Sequence, residues 1–252
     1  NGWQRKIGNV DSALSTWKEV QQKWNALQSI FIGSADIRVQ LPEDSKRFDG
    51  IHADFGDLMK EASGLTNAVE ACNLEGRIER LENMMEGLEK CEKALADYLE
   101  TKRLAFPRFY FVSDPTLLEI LSMGSDPQAV QQHFQSGLFD SLASVTFDKA
   151  DKSKMLVMHS KEGEAVPFGE PVVAQGNIEI WLGNVVEGMQ ATMKEVIRAA
   201  STRVDEMGVE EFVFSTPAQV ALLGVQFQWT ADCTEALKLA KVDKNAMNKT
   251  LR

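Results

Sequence analysis

Residues 69–105 read VEACNLEGRIERLENMMEGLEKCEKALADYLETKRLA, a stretch in which large apolar side chains return every three or four positions. Leu74, Ile78, Leu81, Met85, Leu88, Leu95 and Leu99 form the seam, and only Glu92 interrupts it. That spacing predicts an α-helix from Val69 to Ala105, stopped at Phe106-Pro107 because proline disfavours helix in the residue before it. Glu75, Glu79, Glu82, Glu86 and Glu89 with Arg77, Arg80 and Lys90 read as its solvated side. A seam of about three heptads suits either a short coiled coil or two helices packing in a bundle.

Upstream, Val10, Leu14, Trp17, Val20, Trp24, Leu27 and Phe31 lie on one helical stripe, with Asn9 as its expected N-cap. Pro42, Glu43 and Asp44 read as the first turn of a second helix, whose face is Phe48, Ile51, Phe55, Leu58 and Ala62. Downstream, Arg108-Phe109-Tyr110-Phe111-Val112 reads as a buried extended run. Asp114-Pro115 and Asp126-Pro127 each announce a short helix, ending at Gly124 and near Gly137. Between Ala143 and Val173 the period changes to two. Val145, Phe147, Met155, Val157 and His159 alternate there, which predicts a small antiparallel sheet with Pro167 and Pro171 on its edge. Helix returns at Gly176-Asn177 and runs to about Met207, along Trp181, Val185, Met189, Val196, Ala200 and Val204. Glu211–Phe214 reads as a strand, and Thr216-Pro217-Ala218-Gln219 as a capping box opening a last helix with Val220, Leu223, Phe227 and Trp229. The final fifteen residues are basic and helix-compatible. The chain starts at Asn1 in mid-pattern, which suggests a piece of a longer polypeptide.

With 252 residues, 44% hydrophobic and 25% charged, the composition is that of a folded globular chain rather than a disordered or fibrous one. A formal net charge of -10 argues against a nucleic-acid or anionic-membrane partner, since both reward a basic surface. No apolar run approaches the roughly 20 residues of a membrane span. Cys72, Cys91 and Cys233 have no C-x-x-C spacing and read as free thiols, buried where they fall in helices. Gly163–Gly169 is the nearest approach to a phosphate loop, but its glycines are one residue too far apart and Glu170 stands in place of the lysine, so it reads as a turn between edge strands. His52, His133 and His159 have no metal-ligand spacing, no G-x-S-x-G elbow is present, and no catalytic residue is assigned. His52 and His133 read as polar neighbours of the core, and Trp17 and Trp24, seven apart, as packing residues.

Several stretches resemble the linker region of dynein heavy chains. They are the run from Trp17-Lys18-Glu19-Val20 to Ser29-Ile30-Phe31, Asp36-Ile37-Arg38-Val39-Gln40-Leu41-Pro42-Glu43, and Phe106-Pro107-Arg108-Phe109-Tyr110-Phe111-Val112-Ser113-Asp114 with Leu117-Leu118-Glu119-Ile120-Leu121-Ser122. The resemblance resumes at Glu162-Gly163-Glu164, Glu179-Ile180-Trp181-Leu182, Pro217-Ala218-Gln219-Val220 and Gln228-Trp229-Thr230, in the family's order along nearly the whole chain. Ile32-Gly33-Ser34 with Asp36-Ile37-Arg38 looks more like the axonemal outer-arm heavy chains than the cytoplasmic ones. Gln28, in place of an acidic residue, and Asp114-Pro115 depart from the family's pattern.

The resemblance implies a mainly α fold, an elongated helical-bundle rod with a small antiparallel β-hairpin insertion. It divides into an N-terminal helical subdomain (1–142), the insertion (143–175) and a truncated C-terminal helical subdomain (176–252). The implied role is a non-enzymatic lever that bends and straightens over the AAA+ ring of the same heavy chain, in the cytoplasm and the ciliary or flagellar axoneme. ATP and magnesium then belong to the ring. The microtubule is reached only through the parent stalk, and other dynein subunits through the tail. A non-catalytic helical scaffold that binds protein partners is the alternative. Flexion is expected near Gly176, Gly183 and Gly188. The hairpin residues Lys152, Lys154, Met155, Val157 and His159 are read either as a ring-docking tip or as loop cover.

Overall fold

The computed structural model describes residues 2–243 and 245–246, and seven of the final fifteen residues, read from the sequence as basic and helix-compatible, lie outside them. The described residues form ten α-helices and one three-stranded antiparallel sheet, a mainly α fold. They divide into two compact units, residues 1–122 and 123–252.

In the first unit, α1 (Gly2–Phe31), α3 (Pro42–Ser63) and α5 (Arg77–Ala105) pack as a three-helix bundle, with α2 (Ala35–Gln40), α4 (Ala68–Cys72) and α6 (Asp114–Ser122) between and beyond them. Its core is built from Ala13, Val20, Leu27 and Phe31 of α1, Phe48, Phe55 and Leu58 of α3, and the α5 seam. Pro42 opens α3 with Glu43 and Asp44 in its first turn, as the sequence predicts. Trp24 packs 4.8 Å from Phe55 and donates Nε1–H to His52 Nδ1 at 3.1 Å, so both predicted core neighbours are satisfied by packing and a hydrogen bond.

Four local expectations are corrected here. Asn9 is no cap: it lies inside α1 and its Nδ2 donates to Asn73 Oδ1 at 3.1 Å. The 69–105 stretch is two helices, because Gly76 adopts a left-handed φ of 75° that breaks the run and leaves Leu74 exposed in the turn. The α5 seam runs Arg77, Leu81, Met84, Leu88, Cys91, Leu95, Leu99, alternating steps of four and three as far as Leu95, and its passage through Met84 and Cys91 frees Glu92 to pair with Lys23 of α1. Arg77 therefore leaves the solvated face. It is 3% exposed, its guanidinium stands 5.6 Å from the Trp17 ring, and Nη2 donates to Glu61 at 3.2 Å. Finally, Pro107–Phe111 is a 3₁₀ turn rather than an extended run. Burial accordingly falls on every third residue, Phe106, Phe109 and Val112, while Phe111 is 77% exposed.

In the second unit, Asp126 caps α7 (Pro127–Val130) by accepting from the Gln128 and Ala129 amides, and the helical path ends with Gly137 at φ 111°. Strands β1 (Ser144–Phe147), β2 (Lys154–His159) and β3 (Ala165–Val173) follow in the spatial order β1-β2-β3. Asn177 precedes α8 (Ile178–Glu206), which packs on β3 through its buried N-terminal half, and α9 (Val209–Ser215) and α10 (Ala218–Leu239) pack on its other half. Residues 211–214 are thus helical, not a strand. Their alternation fails because only Phe212 is drawn into the core, with Ala200, Val220 and Ala221, while Phe214 stays exposed. Thr216 does not cap α10 either: no side chain of its own segment caps that helix.

Candidate functional site

The sheet, its turns and the part of α8 behind it carry the flexion and docking residues read from the sequence. β2 is the middle strand, so Met155, Val157 and His159 are on no edge. Val157 pairs with Thr146 on one side and Pro167 on the other, and β3 holds both strand prolines at the sheet's margin, as expected. Register shifts between Thr146 and Phe147 and between Met155 and Val157 interrupt the alternation. Burial consequently falls on Met155 and Met158, with Val157 and His159 half-buried. Met155 is fully enclosed and serves the core. His159 Nε2 lies 2.7 Å from Thr146 Oγ1 across the β1–β2 pair.

The two lysines stand at the exposed end of that hairpin. Asp148 Oδ1 accepts from the Ala150 and Asp151 amides, and Asp151 Oδ1 from the Ser153 hydroxyl and amide. Those bonds fix the turn and hold both carboxyls below the usual carboxylate range, Asp148 chiefly through the Ala150 amide and Asp151 chiefly through the Ser153 hydroxyl. Lys152 and Lys154 are exposed, and Lys154 Nζ lies 3.5 Å from Asp151. Gly163, with φ 90°, sits in the tight Ser160–Glu164 turn and Gly169 lies within β3, so the glycine pair is a turn and a strand.

The three glycines of the predicted flexion zone fall in three different environments. Gly176 has φ 79° in the turn that feeds α8. Gly183 lies within the helix, and a Cβ placed there would meet nothing within 4 Å. At Gly188 a Cβ would come 2.5 Å from Val172 Cγ2 and 3.5 Å from the Phe168 ring, so this glycine allows β3 to approach α8. One turn on, Thr192 Oγ1 accepts from the Gly169 amide at 3.0 Å and ties the strand to the helix. Alongside runs an open groove of about 610 Å³, lined by Glu170, Glu187, Glu195, Asn184 and Pro171. The small pair Gly188 and Thr192, four apart on one helix face, was the available sequence signal for this contact.

Chemically, this surface offers a close strand–helix contact and charged side chains. Among the described residues no group of three or more His, Cys, Asp and Glu is placed to hold a metal ion. Cys72 and Cys91 are buried free thiols, pushed above the ordinary thiol range by that burial, and Cys233 is half-buried.

The described residues thus define a mainly α chain with a small antiparallel sheet seated on one long helix. The sequence model described as "Dynein heavy chain, N-terminal region 2" matches residues 1–200, and the chain belongs to that family. It is 50% identical over 238 residues to "Dynein beta chain, flagellar outer arm" of Chlamydomonas reinhardtii, covering 93% of this chain and 5% of that one. To "Dynein gamma chain, flagellar outer arm" of the same organism it is 46% identical over 251 residues, 99% of this chain and 6% of the relative. "Dynein axonemal heavy chain 9" of Homo sapiens is 48% identical over 236 residues, 92% and 5%. The chain thus spans only 5% to 6% of the length of these curated relatives.

Proposed function

We propose that this region is the mechanical linker of an axonemal dynein heavy chain, bending and straightening over the AAA+ ring of the same polypeptide so that ATP hydrolysis moves the motor along a microtubule. The observation that carries the reading is the near-half identity, over almost the whole chain, to heavy chains named for the flagellar outer arm. Those names support a location in the ciliary or flagellar axoneme, and the family supports the company of other dynein subunits. ATP and magnesium are assigned to the ring, and the region itself is not an enzyme. The division at 142/143 and 175/176 fits the change from helix to sheet and back, and flexion is assigned to Gly176–Gly188.

A donor fluorophore in this region and an acceptor on the ring of the intact heavy chain test the lever. Energy transfer is expected to alternate between two values through the ATPase cycle. A single value throughout rejects the lever and leaves the non-catalytic scaffold.

Docking of the hairpin on the ring is assigned to Lys152 and Lys154, with Val157 and His159 behind them and Met155 as internal support. Lys152→Glu with Lys154→Glu in the intact motor is expected to slow microtubule gliding. Hydrogen exchange across 144–173 should stay unchanged, because both side chains are exposed. Gliding at the wild-type velocity rejects the docking role.

A further inference from the structure

The start of α10 departs from the rule that its own sequence sets. Thr216-Pro217-Ala218-Gln219 has the spacing of a capping box, with threonine as cap, proline at the first helical position and glutamine at the third. The helix instead begins at Ala218, with Pro217 in the cap position at ψ 138°. Its first amide, Ala218 N, donates to Glu164 Oε1 at 2.8 Å, a carboxylate 54 residues earlier, next to the Gly163 turn between β2 and β3. Thr216, 9% exposed, has a buried Oγ1 without a hydrogen-bond partner. One helix thus has two possible caps, and the unused one is a buried hydroxyl left unsatisfied at an energetic cost.

The two arrangements differ in one backbone torsion. Thr216, at φ -129° and ψ 143°, already has the extended conformation of an N-cap residue, and Pro217 φ, at -52°, already suits a helix. Only Pro217 ψ must turn, from 138° to a helical value near about -40°. Carboxylate and hydroxyl are both suitable acceptors for a free amide of a helix start, so each arrangement satisfies one of them.

We propose that the N-terminus of α10 is a two-state cap. In one state Glu164 holds it and ties the β2–β3 turn to α10. In the other, Thr216 Oγ1 accepts from the Gln219 amide, Pro217 joins the helix as its first residue, and Glu164 is released with its turn. Turning Pro217 ψ redirects α10 relative to α9, which stays on α8 through buried Phe212 and through Arg203 Nη2, 2.8 Å from Ser215 Oγ. At the α9–α10 crossing the Phe212 ring is seated against Gly224, where a Cβ would lie 2.6 Å from its Cζ, so the redirected helix has to give up and remake that contact. The exchange converts release of the sheet's turn into a new direction for α10. It concerns this chain's own backbone and does not depend on the linker reading.

Hydrogen exchange at residues 218–221 in the intact heavy chain tests it, with α5 as the control for folding. Thr216→Val alone should leave those amides as protected as in the wild type, because the hydroxyl is unused. In a Glu164→Ala background the same substitution should speed their exchange by about fivefold, since it then removes the only remaining cap. Glu164→Gln retains an acceptor oxygen and should leave Thr216→Val silent. The proposal is overturned if Thr216→Val has the same effect in all three backgrounds. It is equally overturned if Glu164→Ala alone frays the helix start as far as the double variant does.

Discussion

Phe212→Ala is expected to destabilise the α8–α9–α10 layer by about 3–5 kcal/mol, the usual cost of emptying a buried phenylalanine site. Phe212 is the one buried residue of the seven-residue α9, and it reaches between Ala200 on α8 and Val220 and Ala221 on α10. Gly224 is shaped to it: a Cβ at that position would lie 2.6 Å from Phe212 Cζ. Shrinking the ring therefore opens a space that two rigid helices cannot close without giving up Met193, Val196 and Val225, which pack around the same cluster. Removing its one anchor leaves α9 with exposed Val209, Val213 and Phe214 and little reason to stay folded. Hydrogen exchange across 209–225 in the intact heavy chain should accelerate at least a hundredfold, with α5 unchanged. Adding Gly224→Leu to Phe212→Ala should recover part of the loss, whereas Gly224→Leu alone should be harmful because its side chain meets the ring. Additive costs for the two substitutions would show that ring and glycine are not partners.

What the sequence disclosed was what neighbouring residues decide among themselves. Pro42 with two acids, and Asp126 before Pro127, open helices through their own side chains and backbone, so α3 and α7 start where expected. The change of period at 143 located the sheet, and Asn177 located α8. The errors arise where distant residues cast the deciding vote. Glu211–Phe214 alternates like a strand, but one side chain finds a pocket and the others do not. Arg77 looks like a surface charge until Trp17, sixty residues earlier in the chain, supplies a ring for its guanidinium. The β2 bulge moved burial from Val157 to Met158, which no alternation rule anticipates. The candidate site followed the same division. Its lysines were legible as exposed turn residues, whereas the enclosed state of Met155 and the contact at Gly188 depend on β3 and α8 meeting.

That contact gives opposite expectations for two identical substitutions five residues apart on α8. Gly183→Ala introduces a methyl group into open space and replaces a poor helix former, so it should stabilise the helix by about 0.5–1 kcal/mol. Gly188→Ala gains the same helix propensity but drives its methyl to 2.5 Å from Val172 Cγ2, with the Phe168 ring behind at 3.5 Å. Valine has one stiff side-chain torsion and is itself buried, so the strand has to move. Overpacking of this kind costs about 1–3 kcal/mol and outweighs the propensity gain. Exchange should quicken in β3, particularly at Gly169, whose amide bond to Thr192 Oγ1 depends on the same approach, while α8 itself remains protected. Val172→Ala, by clearing the space that the new methyl needs, should restore much of β3's protection in the Gly188→Ala variant. The pair also separates two roles for these glycines in the intact motor. If both serve as points of flexion, either substitution stiffens α8 and shortens the swing. If Gly188 instead keeps the sheet seated on the helix, Gly183→Ala leaves the swing intact, Gly188→Ala weakens it, and Val172→Ala brings it back.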